Sequence, residues 1–135
     1  MKTSTILVYI SKLLFPFMIL FGLYIILNGD RSPGGGFQGG AVLATAYLVT
    51  YFFNPKGKVN LHRLIEYEKY IFLCIIFLGG ISYFIKGDWF TNFIIISESL
   101  TKKRIFLILL NFLIGIKVAL GLIGIVEIFI EEEKQ

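Results

Sequence analysis

Hydrophobic positions along this chain fall into long runs, without the alternation or single apolar face expected of a soluble domain. Four runs, Ile6–Leu27, Phe37–Phe53, Tyr70–Ile85 and Ile105–Ile130, meet or approach the length a helix needs to cross a hydrocarbon core, which is about 17–25 residues. Polar punctuation separates them. The first run ends at Asn28-Gly29, a helix C-terminal signal, and the second at "NPKGK", where Pro55 and Gly57 mark a turn. The third helix is expected to start near Glu66 or Glu68, since acids suit a helix N-terminus, and His62 then falls in a loop. The fourth helix follows "TKKR" and runs into "EIFIEEEKQ". The pattern predicts an all-α membrane protein, a single four-helix transmembrane domain over residues 1–135. Its spans lie at about 6–27, 37–53, 68–85 and 105–130, with a Gly-rich turn between helices 1 and 2.

Ile6–Leu27 is too long for a signal-peptide core of about 7–15 residues and is followed by no A-x-A-like cleavage site. It reads as the first span, kinked at Pro16, where one backbone bond is lost. Between the third and fourth spans, "GDWFTNFIIISESL" is apolar but short and bounded by charge. It is expected at the membrane interface or against a neighbouring subunit, with Trp89 and Phe90 in the headgroup zone. Four spans bring both termini to one side. That side carries Lys2, Lys12, Lys56, Lys58, Arg63, Lys69 and Lys134; the other carries Arg31, Lys86, Lys102, Lys103 and Arg104. The excess points to termini in the cytoplasm of a multi-pass cell-membrane protein.

Composition sharpens this reading. Of 135 residues, 56% are hydrophobic and the mean hydropathy is +0.80, which leaves little chain for a soluble domain. The single cysteine, Cys74, can form neither an intrachain disulfide nor a cysteine metal site and reads as a small apolar residue. One histidine without a cysteine partner builds no ordinary zinc site. The net charge of +4 is scattered over connections between spans. No basic stripe on a soluble fold is visible, so nucleic-acid binding is set aside.

The stretch "NGDRSPGGGFQGGA" stands out between the first two runs. A phosphate-binding P-loop ends in Gly-Lys-Ser/Thr, which is missing here, and a dinucleotide fingerprint needs a soluble βαβ unit around it. A packing role fits better, because glycine permits positive φ and close backbone approach. Gly35 and Gly39, and likewise Gly36 and Gly40, are four apart, the spacing that lets another helix come within backbone contact. Pro33, Gly34, Gly35, Gly36, Phe37, Gly39 and Gly40 are therefore the expected packing motif.

"SPGGGFQGGAVLA" also resembles the signature of the B subunit (MnhB/MrpB family) of multisubunit Na+/H+ antiporters. The related antiporter module of membrane-bound hydrogenase-type respiratory complexes carries a similar subunit. A second resemblance lies in "LLNFLIGIKVALGL", Leu109–Leu122, similar to that family's last helix with its Asn and Lys. Asp30 stands where the family commonly has His, so the resemblance carries no role over to that position. The resemblance implies an accessory membrane subunit, with other antiporter-type subunits as partners and hydrogenase or ferredoxin-oxidising subunits in the redox-driven setting. Na+ and H+ would be moved by the complex, with no cofactor in this chain.

Lys117 lies near the middle of Ile105–Ile130, where an ionisable group is costly and needs protein or water around it. At 100° per residue, Gly121 and Gly124 share its face, Leu120 and Glu127 flank it, and Asn111 points elsewhere. Lys117 either contributes to a proton or cation path or pairs with a carboxylate on another subunit to fix assembly. Lys117, Glu127, Asn111 and Asp30 are the ion-path or coupling candidates. No catalytic constellation and no metal set is visible. Two alternatives stay open: a small stand-alone exporter, which needs an acid in its first helix where Ile6–Leu27 has none, and a purely structural membrane scaffold.

Overall fold

In the computed structural model, residues 5–31, 33–53, 60–91 and 100–133 are described. They form four helices: α1 (Thr5–Leu27), α2 (Gly36–Phe53), α3 (Leu61–Lys86) and α4 (Leu100–Glu132). Three are long and apolar enough to cross a membrane: Thr5–Leu27, Leu61–Lys86 and the Arg104–Glu132 stretch of α4. The glycines, Gln38 and the tyrosines of α2 dilute its apolar character, and it is not one of the three.

α1 runs without a break through Pro16. α3 begins earlier than the acids suggested, so His62 lies in its first turn rather than in a loop. Asn60 caps it: its side-chain oxygen accepts the Arg63 N–H at 3.3 Å, satisfying a donor that the first turn leaves without an intrahelical partner. His62 then stands one turn from Glu66, with Nε2 to Oε1 at 3.5 Å. The far end of α3 closes at Gly87, whose φ of 82° suits a glycine and whose N–H donates to the Tyr83 carbonyl at 2.8 Å.

The chain then folds back on α3. Trp89 stacks on Tyr83 with ring centroids 5.2 Å apart, and the Phe90 ring covers Gly79. The buried Ser82 hydroxyl donates to the Asp88 carbonyl at 3.0 Å. Pro55, Gly57 and residues 92–99 of the expected interfacial segment lie outside the described residues.

α2 packs between α1 and α4, and α4 between α2 and α3, while α3 touches α4 alone among the described helices. Neighbours along the chain alternate in direction, which makes α2 and α4 parallel. Few side chains are buried; large apolar ones such as Leu13, Phe21, Phe77 and Phe84 point outward. An outward apolar surface of this kind matches a lipid solvent. Close packing and interhelical polar contacts, rather than hydrophobic burial, must then hold the helices together.

Candidate functional site

The polar candidates of α4 face different surroundings: Asn111 the glycine segment at the start of α2, Lys117 α3, and Glu127 the far end of α2. Gly34 and Gly35 have φ of 135° and 130°, a region that side chains with a Cβ rarely enter. These angles turn the chain from α1 into α2, whose first residue is Gly36. The Gly39 N–H donates to the Gly35 carbonyl at 3.0 Å. A Cβ on Gly36 would lie 2.5 Å from the Asn111 carbonyl oxygen, and one on Gly40 would strike the Gly115 carbonyl. Gly39 points to α1, where a Cβ would meet Ile26 and lie 2.8 Å from the Gly22 carbonyl. Gly36 and Gly40 thus seat α4, while Gly39 seats α1. Pro33 and Phe37, named in the same motif, are exposed.

Asn111 faces this segment from α4. Its Oδ1 accepts the Gly36 N–H at 3.4 Å, and its amide fills the space beside Gly29 and Gly35. One polar side chain therefore serves backbone that the unwound connection leaves exposed. Asp30, in the same connection, meets the start of α4: its Oδ2 lies 3.0 Å from Arg104 Nε and 3.8 Å from Arg31 Nε. The Asp30 side chain is 9% exposed, against 66% for Arg31, so Arg104 is the dominant partner. Its Oδ1 is buried without a hydrogen bond among the described residues.

Lys117 faces α3. Its Nζ donates to Glu68 Oε1 at 2.6 Å and sits 5.3 Å from the centroid of the Phe72 ring, within cation–π range. Glu68 was expected at the start of α3; because the helix begins at Leu61, it lies instead about 10 Å along the axis, where Lys117 reaches it. The pair lines a groove of about 330 Å3 between Leu64 and Ile65 of α3 and Leu120, Gly121 and Gly124 of α4.

Glu127 is buried and turns away from that groove to α2. The side chains of Tyr51 and Tyr47 lie close enough to feel its charge; the two tyrosine rings stack at 6.0 Å. Its Oε1 is buried without a hydrogen bond among the described residues.

The four candidates do not converge. Along α4, at about 1.5 Å per residue, Asn111 and Lys117 are roughly 9 Å apart and Lys117 and Glu127 roughly 15 Å. Among the described residues, no group of three His, Cys, Asp or Glu side chains is placed to hold a metal. The arrangement can neutralise charge and satisfy backbone at three seams. Glu68, Arg104, Tyr51 and Gly115 are the participants that sequence reasoning missed. Asn60, a capping signal ahead of the charged run, could have moved the start of α3 and brought Glu68 into its interior.

A family model described as "Domain related to MnhB subunit of Na+/H+ antiporter" matches residues 6–124. Among curated relatives, an uncharacterized protein of Methanocaldococcus jannaschii is 34% identical over 79 residues, 56% of this chain and 30% of that protein. A putative antiporter subunit mnhB2 of Staphylococcus saprophyticus is 34% identical over 50 residues, 37% of this chain and 36% of that protein. Its counterpart in Staphylococcus epidermidis is 25% identical over 68 residues, half of this chain and 48% of that protein. Among solved structures, a chain of the membrane-bound sulfane sulfur reductase (MBS), an archaeal respiratory membrane complex, superimposes with a TM-score of 0.76. The sequences there are 34% identical, over 92% of this chain and 56% of that one. The chain spans roughly a third to a half of the curated relatives it matches.

Proposed function

The chain belongs to the family of domains related to the MnhB subunit of the Na+/H+ antiporter, and from that premise we propose that it is an accessory integral-membrane subunit of a multisubunit complex that moves Na+ and H+. The proposed setting is the membrane arm of a redox-driven respiratory complex, with a free-standing antiporter as the second reading. The observation that carries the preference is the fold match over 92% of this chain to a chain of a respiratory membrane complex. The antiporter relatives match over half of the chain or less in the two staphylococcal cases above.

In this reading α2 is a fourth span, packed between α1 and α4. That position seats its glycines against protein, and the Thr45 and Thr50 hydroxyls donate to carbonyls of the helix itself, at Ala41 and Ala46. The Gly-rich turn is a packing element, not a nucleotide site. The chain holds no cofactor and performs no catalysis; the charges of Lys117 and Asp30 are compensated by Glu68 and Arg104. The partners are antiporter-type membrane subunits together with subunits that supply electrons. The protein sits in the cell membrane with both termini cytoplasmic.

The test is to tag the C-terminus, extract in mild detergent, run a native gel and identify co-migrating proteins by mass spectrometry. A large assembly with antiporter-type and iron–sulfur subunits is expected. Antiporter-type subunits alone would favour the second reading. Migration as a small oligomer, with detergent dissociation controlled for, would overturn both.

A further inference from the structure

The Lys117–Glu68 pair is closed against its own chain on one side only. The Lys117 side chain remains 34% exposed and that of Glu68 25% exposed, although Lys117 lies near the midpoint of the Arg104–Glu132 span. Hydrocarbon cannot cover such a pair, because charged groups at that depth face protein or water. Their bond engages one carboxylate oxygen and one of three ammonium protons, which leaves polar capacity directed into the groove.

The glycines of this groove differ from those of the other seams. At Gly36, Gly39, Gly40 and Gly115 an added Cβ would collide with backbone or side chain of this chain. At Gly121 it would meet nothing within 4 Å, and at Gly124 only Leu64 Cδ2 at 3.7 Å. Packing within the chain accounts for the first set and leaves the second open. A surface without Cβ atoms beside a half-covered ion pair is shaped for a helix backbone at close range.

We propose that the α3–α4 groove at Lys117, Glu68, Gly121 and Gly124 receives a transmembrane helix of another subunit. That helix presents a neutral hydrogen-bonding side chain (Ser, Thr, Asn or Gln) to the ion pair. The pair carries no net charge, so a neutral group able to accept from the ammonium and donate to the carboxylate complements it without adding a buried charge. This inference rests on the subunit reading and names the surface through which it operates.

The test uses the complex in native membranes. A photo-crosslinking benzoylphenylalanine in place of Ile125, at the lip of the groove, is expected to join this chain to one co-purifying membrane subunit, at a peptide carrying such a side chain. Gly121→Leu, whose Cβ would meet nothing within 4 Å inside this chain, is expected to lower the yield of that subunit in the purified complex roughly tenfold or more, with the chain still inserted. Three results would overturn the proposal: adducts with lipid alone, adducts with a second copy of this chain, or rapid labelling of Gly121→Cys (in a Cys74→Ser background) by a membrane-impermeant thiol reagent, the mark of a water-filled groove. If any of them is seen while the complex remains intact on the native gel, the docking surface falls and the subunit reading stands. If no partner co-purifies at all, both fall.

Discussion

Lys117 Nζ lies 2.6 Å from Glu68 Oε1, so an ion pair fixes the height at which α3 meets α4. Among the described helices α3 approaches no other backbone as closely as α4, so this pair acts at its main seam.

Removing either partner strands the other charge. Lys117→Met or Glu68→Leu alone should destabilise the protein in detergent by about 1–3 kcal/mol, less than for a fully buried pair because water or a neighbour reaches both groups. The double variant should recover most of the loss. Thermal unfolding of the three variants checks this; additive losses would mean that the pair contributes nothing jointly.

The two kinds of glycine should respond in opposite senses. Gly40→Val drives a side chain into the Gly115 carbonyl and against Val118 Cβ, an overpacking that costs about 1–3 kcal/mol or forces α2 away from α4. A Cβ added at Gly80 in α3 would meet nothing within 4 Å. Gly80→Ala should therefore raise stability by about 0.5–1 kcal/mol through helix propensity alone. Melting temperatures of the two variants give the comparison.

Asn111 should govern the local order of the α1–α2 connection more than global stability. Its bond to the Gly36 amide is long, at 3.4 Å, so Asn111→Leu should cost about 1 kcal/mol. The clearer effect should be faster amide hydrogen exchange at Gly34–Gly36, with exchange in α3 unchanged. Equal acceleration in both regions would refer the effect to the whole bundle.

Much of this was legible in the chain because lipid-facing sequence is explicit. Runs of apolar residues locate the helices, and "PGGGFQGGA" marks where backbones approach closely. What the chain concealed was pairing. Helical periodicity put Glu127 on the flank of Lys117, but α2 lies on that flank, and Glu127 has Tyr51 and Tyr47 as neighbours there. Glu68 read as an N-terminal acid because the charges around it look like a loop, whereas Asn60 starts the helix earlier and carries Glu68 inward. Arg31 is the cation next to Asp30 in sequence. The partner that reaches it at 3.0 Å comes from α4, a choice that needs the tertiary fold.

Tyr51 should matter through Glu127. Tyr51→Phe removes a hydroxyl close to a buried carboxylate, one oxygen of which has no hydrogen bond among the described residues, and leaving such a group with less polar company costs about 1–3 kcal/mol. Restoring neutrality with Glu127→Gln in the Tyr51→Phe background should return part of that stability. A double variant weaker than Tyr51→Phe by the full cost of Glu127→Gln would separate the two residues.

The partner of Asp30 can be decided by a double-mutant cycle. Arg31 is adjacent in sequence, but its side chain is 66% exposed and its Nε is 3.8 Å away; exposed pairs of this kind contribute about 0.2–1 kcal/mol. Arg104 is 32% exposed with Nε at 3.0 Å, and Asp30 is nearly sealed, so the charge on Asp30 depends on Arg104. Because Arg104 Nε meets Asp30 as an ion pair without a hydrogen bond among the described residues, Arg104→Gln should destabilise by about 1 kcal/mol and Arg31→Gln by less than about 0.5. Combined with Asp30→Asn, Arg104→Gln should cost little more than either change alone, while Arg31→Gln should simply add. The same coupling for both arginines would mean that the carboxylate is shared, and the tie between the glycine connection and the start of α4 would be weaker than its geometry indicates.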